Sequence, residues 1–136
     1  MKRSEELAEL SREHHTALSL ANRARQTAAG GDGAAVEGMA ALIRERFGAE
    51  LLPHFREEEE WLLPALAEAG ETPLVERTLA DHGELVRLAE ALAVPDGNIL
   101  RAFGEALTAH VRFEERELFP AAEAHPACLA RSPKRR

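Results

Sequence analysis

The sequence predicts an all-α protein, an up-down-up-down four-helix bundle. Three observations carry this. Four segments repeat apolar residues every three or four positions, and none alternates as a strand does. The breaks between them are short and rich in glycine, proline and aspartate, which forces neighbouring helices to run antiparallel. Leu, Ala, Glu and Arg dominate a chain of 136 residues that is 45% hydrophobic and has no tyrosine, a composition that favours helix and supplies a core.

The first segment, 3–28, carries Leu7, Leu10, Ala17, Leu18 and Ala21 on one face and ends in AAGGDGAA (28–35). The second, 34–69, carries Phe47, Leu51, Phe55, Leu62, Ala65 and Leu66. Pro53 lies inside it and removes a backbone hydrogen bond, so the segment is either one kinked helix or two shorter ones. The stripe stays in phase from Leu51 to His54 and Phe55, which favours the kinked helix. EAGETP (68–73) starts the third segment, 72–93, with Val75, Leu79, Val86, Ala89 and Leu92. VPDGN (94–98) starts the fourth, 97–124, with Phe103, Leu107, Val111, Leu118 and Ala121. Phe55, Phe103 and Phe119 read as core. The bundle is expected to occupy residues 1–126, and 127–136 form a short basic tail whose RSPKRR reads as a frayed end.

A net charge of -7 argues against a nucleic-acid surface. There is no signal peptide and no apolar run long enough to span a bilayer, so no membrane association and a cytoplasmic location are expected. Cys128 is the single cysteine and has no internal partner.

The stripes are interrupted by polar residues in a regular way. His14 stands on the first, His54 and Glu58 on the second, His82 on the third, His110 and Glu114 on the fourth. HFREEEEWLLP (54–64) and HVRFEERELFP (110–120) share a template: His, Glu at +4 and +5, Leu at +8, an apolar residue at +9 and Pro at +10. Alternate helices of a bundle would bring the two copies together near its axis.

Two buried carboxylates are costly unless paired or bound to metal. The four histidines could pair with them as hydrogen-bond donors. A more economical explanation is a pair of metal ions, capped by the imidazoles and bridged by Glu58 and Glu114. His15 is an alternative to His14, and Glu115 could compete with Glu114. Glu57, Glu59 and Glu60 read as solvated charge, His125 as a helix C-terminal cap, Trp61 as core packing, and Cys128 as no ligand. The nitrogen and carboxylate donors suit iron, manganese or zinc. Histidines outnumber carboxylates and His precedes Glu at i,i+4, unlike the ferritin pattern.

These motifs, with REHH (12–15) and DH (81–82), resemble the hemerythrin HHE cation-binding family over about residues 5–125. The resemblance implies a non-haem di-iron centre with an oxo or hydroxo bridge, terminal ligands His14, His54, His82 and His110, and bridging Glu58 and Glu114. Oxygen-carrying hemerythrins have a further histidine where Val86 stands, so the ligand set here is smaller and the site more open. The chain more closely resembles the bacterial hemerythrin-like and iron-sensing branches, which include the repair proteins for iron–sulfur centres. Repair proteins for iron–sulfur centres carry an extra histidine between the first two helices, and 16–53 holds none.

Two expectations follow. One is a di-iron protein binding, carrying or sensing oxygen, nitric oxide or iron; the other is a di-iron redox enzyme reducing peroxide or nitric oxide or aiding iron-centre repair. A metal-free helical interaction module is the third reading. A diatomic ligand is the expected small partner, a homodimer is compatible, and no redox-partner surface is visible.

Overall fold

The computed structural model describes residues 2–133. Four long helices form the expected bundle: α1 (Glu5–Gly30), α2 (33–68), α3 (Thr72–Ala91) and α4 (97–123), followed by a short α5 (Pro126–Leu129). No strand occurs among the described residues.

The turns use the chemistry their residues offer. Gly31 ends α1 with φ 71°, the left-handed region that suits glycine. Asp32 then caps α2 by accepting from the Ala35 amide at 3.2 Å. Asp96 caps α4 by accepting from the Asn98 and Ile99 amides at 2.8 and 3.1 Å.

Pro53 does not split α2. The turn before it, Phe47–Leu51, is a π turn, in which the Leu52 amide donates to the Phe47 carbonyl five residues back. The same device precedes Pro64, with a π turn at Glu58–Leu62, and Pro120, with one at Glu114–Leu118. A proline ring clashes with the carbonyl four residues before it, and widening the preceding turn relieves that clash. Both copies of the repeat therefore open a π turn at their inward glutamate.

The core has two apolar layers. One contains Ala21, Ile43, Phe47, Leu85, Phe103 and Leu107; the other contains Leu7, Leu10, Trp61, Leu66, Phe119 and Ala122. Helices α1 and α4 approach closely at Gly104, where an added Cβ would fall 2.8 Å from the Ala21 carbonyl oxygen and 2.6 Å from Arg25 Cγ.

The third stripe differs from its expected line. Leu79 is 46% exposed, while Thr78, His82, Leu85 and Ala89 are buried. Thr78 is tolerated inside because its hydroxyl donates to the Leu74 carbonyl at 2.8 Å. In α4, Ala122 is buried in place of Ala121, since the π turn adds a residue to the phase.

At the C-terminus, Cys128 is buried and its thiol donates to the Ala65 carbonyl at 3.3 Å. Arg131 pairs with Glu68 and Ser132 is buried, unlike the frayed end expected there. Lys134, Arg135 and Arg136 lie outside the described residues.

Candidate metal centre

His14, His54, Glu58, His82, His110 and Glu114 converge between the two apolar layers, all buried and both glutamates fully so. Each glutamate offers one oxygen to each of two histidine pairs. Glu58 Oε2 lies 3.1 Å from His54 Nε2, and its Oε1 lies 3.0 Å from His82 Nε2. Glu114 Oε1 lies 2.8 Å from His14 Nε2, and its Oε2 lies 3.1 Å from His110 Nε2. Two donor groups result, His14–His54–Glu58–Glu114 and His82–His110–Glu58–Glu114, and within each the donor atoms lie within 4.8 Å of one another. The glutamates are common to both.

A second ring of carboxylates holds the opposite nitrogen of every histidine. His14 Nδ1 donates to Glu115 at 2.6 Å, His54 Nδ1 to Glu13 at 2.7 Å, His82 Nδ1 to Glu59 at 2.7 Å, and His110 Nδ1 to Asp81 at 2.9 Å. The pattern is cyclic: α1 serves α2, α2 serves α3, α3 serves α4, and α4 serves α1. Two members are braced further out. Arg3 donates to Glu115 Oε1 at 3.2 Å, and Arg77 Nε donates to Asp81 Oδ2 at 3.1 Å. Arg77 also lies over the Phe113 ring. Phe55 stacks on His82 with centroids 3.9 Å apart, and Phe119 on His14 at 5.2 Å.

This ring fixes chemistry as well as orientation. With Nδ1–H committed to a carboxylate, a neutral imidazole turns its Nε2 lone pair inward, toward carboxylate oxygens that are themselves acceptors. Something positive must lie between them. Without metal it is a proton. Burial alone would lower the His54 imidazole, but the facing Glu58, with Glu114 and Glu13, pushes its pKa up to about 12. His110 is pushed up to about 10, against desolvation, by Glu114, Asp81 and Glu58. His14 is also raised, its desolvation outweighed by Glu114 and Glu115. Glu114 is held well below the usual carboxylate range despite desolvation, by His110, His14 and His54. The protons do not satisfy everything: Glu58 Oε2 and the pair Glu114 Oε2 and His110 Nε2 lie 3.1 Å from their facing atoms but are too poorly aligned to form hydrogen bonds there. Cations at the two groups would engage those atoms, so the residues present fit a metal pair.

The chain matches the family model for the hemerythrin HHE cation-binding domain over residues 5–122. It belongs to the hemerythrin family. No curated relative and no solved structure matches it at a significant level. Family membership and the buried histidine–glutamate groups together fit a metal-binding protein.

Within this hemerythrin domain, the expected residues divide clearly. His15 is exposed, one residue off the inward face, and does not join the centre. Glu115 does not compete with Glu114; it orients His14 and accepts from Ser11 at 2.8 Å. Glu59 is not merely solvated charge, since it holds His82. His125 does not cap a helix with its side chain; its Nε2 pairs with Glu71 at 3.2 Å. Trp61 packs in an apolar layer, as expected, and Cys128 lies in that same layer among Leu7, Leu10 and Leu66. Glu13 and Asp81 stand in the motifs REHH and DH, but the sequence reading assigns them no role. A signal was present: each acid of the second ring stands one residue from an inner residue, Glu13 beside His14, Glu59 beside Glu58, Asp81 beside His82 and Glu115 beside Glu114.

Proposed function

We propose that the protein is a non-haem di-iron protein with an open position for oxygen or another small ligand, used to bind, carry or sense it. The reading rests on one observation above all: two buried donor groups that share both glutamates. Each ion would be held by two imidazoles and an oxygen from each of Glu58 and Glu114. That set would complete a tetrahedral zinc site, whereas iron accepts further ligands and so keeps places for a small molecule. When bound, the metal pair supplies redox chemistry and ligand affinity. The chain's own part is to fix the Nε2 directions through Glu13, Glu59, Asp81 and Glu115 and to keep the centre between apolar layers.

Elemental analysis after anaerobic Fe(II) reconstitution should find about two iron ions per chain. Glu58→Ala and Glu114→Ala should each lose most of that metal. Iron near zero in the reconstituted protein, or full retention in both variants, would overturn the reading. Exposing the reduced protein to oxygen should give near-ultraviolet and visible bands that bleach reversibly when oxygen is removed. Irreversible oxidation with turnover on added peroxide and reductant would identify an enzyme instead.

A further inference from the structure

A cavity of about 330 Å³ lies between α1, α2 and α4. Ala17, Leu20, Leu51, Phe55, Leu107 and Val111 form a buried, apolar floor. His14, His54 and His110 also line it, and His82 does not, so the cavity runs up to one side of the centre. Its rim is formed by exposed residues that include Glu13, Thr16, Arg46 and Ala49.

Size and charge together indicate what fits. Such space holds a water from about 10–15 Å³ upward, and small-molecule pockets begin near ~300 Å³. A diatomic ligand would leave most of this cavity empty. An aliphatic chain laid on the apolar floor is removed from water, which favours its binding. Arg46 is the one Lys or Arg among the lining residues, and it already donates to Glu50 at 2.7 Å. Glu13 accepts from His54 at the same rim. Both rim carboxylates are thus already engaged, Glu50 with Arg46 and Glu13 with His54. An ionic head group would have to break an existing ion pair to find a counter-ion, whereas a neutral one would not. The Thr16 hydroxyl offers a neutral polar contact.

We propose that this cavity binds a neutral, medium-chain aliphatic molecule with a hydroxyl-type polar end. The binding itself stands on the cavity; its place beside a metal pair rests on the function proposed above.

The test is a calorimetric titration of hexan-1-ol into the full chain, both iron-loaded and metal-free, with hexanoate and hexylamine as charged counterparts. Saturable hexanol binding is expected, at least about tenfold tighter than either charged analogue. Thr16→Trp and Ala49→Trp, both at the exposed rim, should weaken it at least about tenfold while metal content and helicity stay unchanged. Absence of saturable binding, equal or tighter binding of a charged analogue, or full binding in both variants would overturn the proposal. Hexanol binding by a chain that takes up no iron would leave this proposal standing and sink the metal reading; iron uptake without hexanol binding would do the reverse.

Discussion

At the scale of single residues, each inner histidine depends on a carboxylate that never touches the centre. Asp81 is the clearest case, because it is braced by Arg77 and holds His110 at 2.9 Å. Asp81→Asn should lower metal affinity by roughly 10–100-fold, measured by chelator competition, while Glu60→Gln at an exposed position should leave it unchanged. Equal affinities would show that the second ring orients nothing. Protonation gives a second prediction, for the metal-free protein. His110 and His54 have folded pKa values above the ordinary 6.5, about 10 and about 12. A raised folded value contributes stability fully below the unfolded value and loses it as pH rises through the folded one. The melting temperature of chelator-stripped protein should therefore fall steadily from pH 6.5 to about pH 10. A flat or rising profile over that window would contradict the inward proton.

The helices themselves show why part of this was readable in the sequence and part was not. His110, Glu114, Leu118 and Ala122 are all buried, at steps of four residues. In a regular helix each such step overshoots a full turn by about 40°, so the line would wind off the inner face. The π turn at Glu114–Leu118 absorbs the excess. Periodicity alone found the four helices and the six inward residues, because apolar neighbours bracket each of them. It misplaced Leu79 because threonine hides its hydroxyl in its own helix and counts as polar on any scale. It could not find the second ring, whose members are exposed (Glu13, Glu59) or half-buried (Asp81, Glu115) and act across helices. Gly104 gives a prediction at this scale. Gly104→Ala gains about 1 kcal/mol of helix propensity but drives a methyl against the Ala21 carbonyl, where relief requires α1 and α4 to separate. A net loss of about 1–3 kcal/mol in chemical denaturation is expected; a more stable variant would show that the helices have slack.

In the whole molecule, the cyclic second ring ties each long helix to two others through the centre. Removing metal leaves the two apolar layers held across a plane of partly unsatisfied polar atoms. The layer containing Leu7, Leu10 and Phe119 also encloses Cys128, whose thiol burial pushes its pKa up, with Glu71 adding to the shift. A buried, protonated thiol does not react until its surroundings open. Cys128 is thus a chemical clock for the bundle: its alkylation rate counts openings of the layer beside the centre. Metal-stripped protein should label at least about tenfold faster than the loaded form, equivalent to about 1.4 kcal/mol in opening free energy. Equal rates would mean that this layer does not feel the metal. With unequal rates, one thiol reports occupancy of the centre without any spectrum of the metal itself.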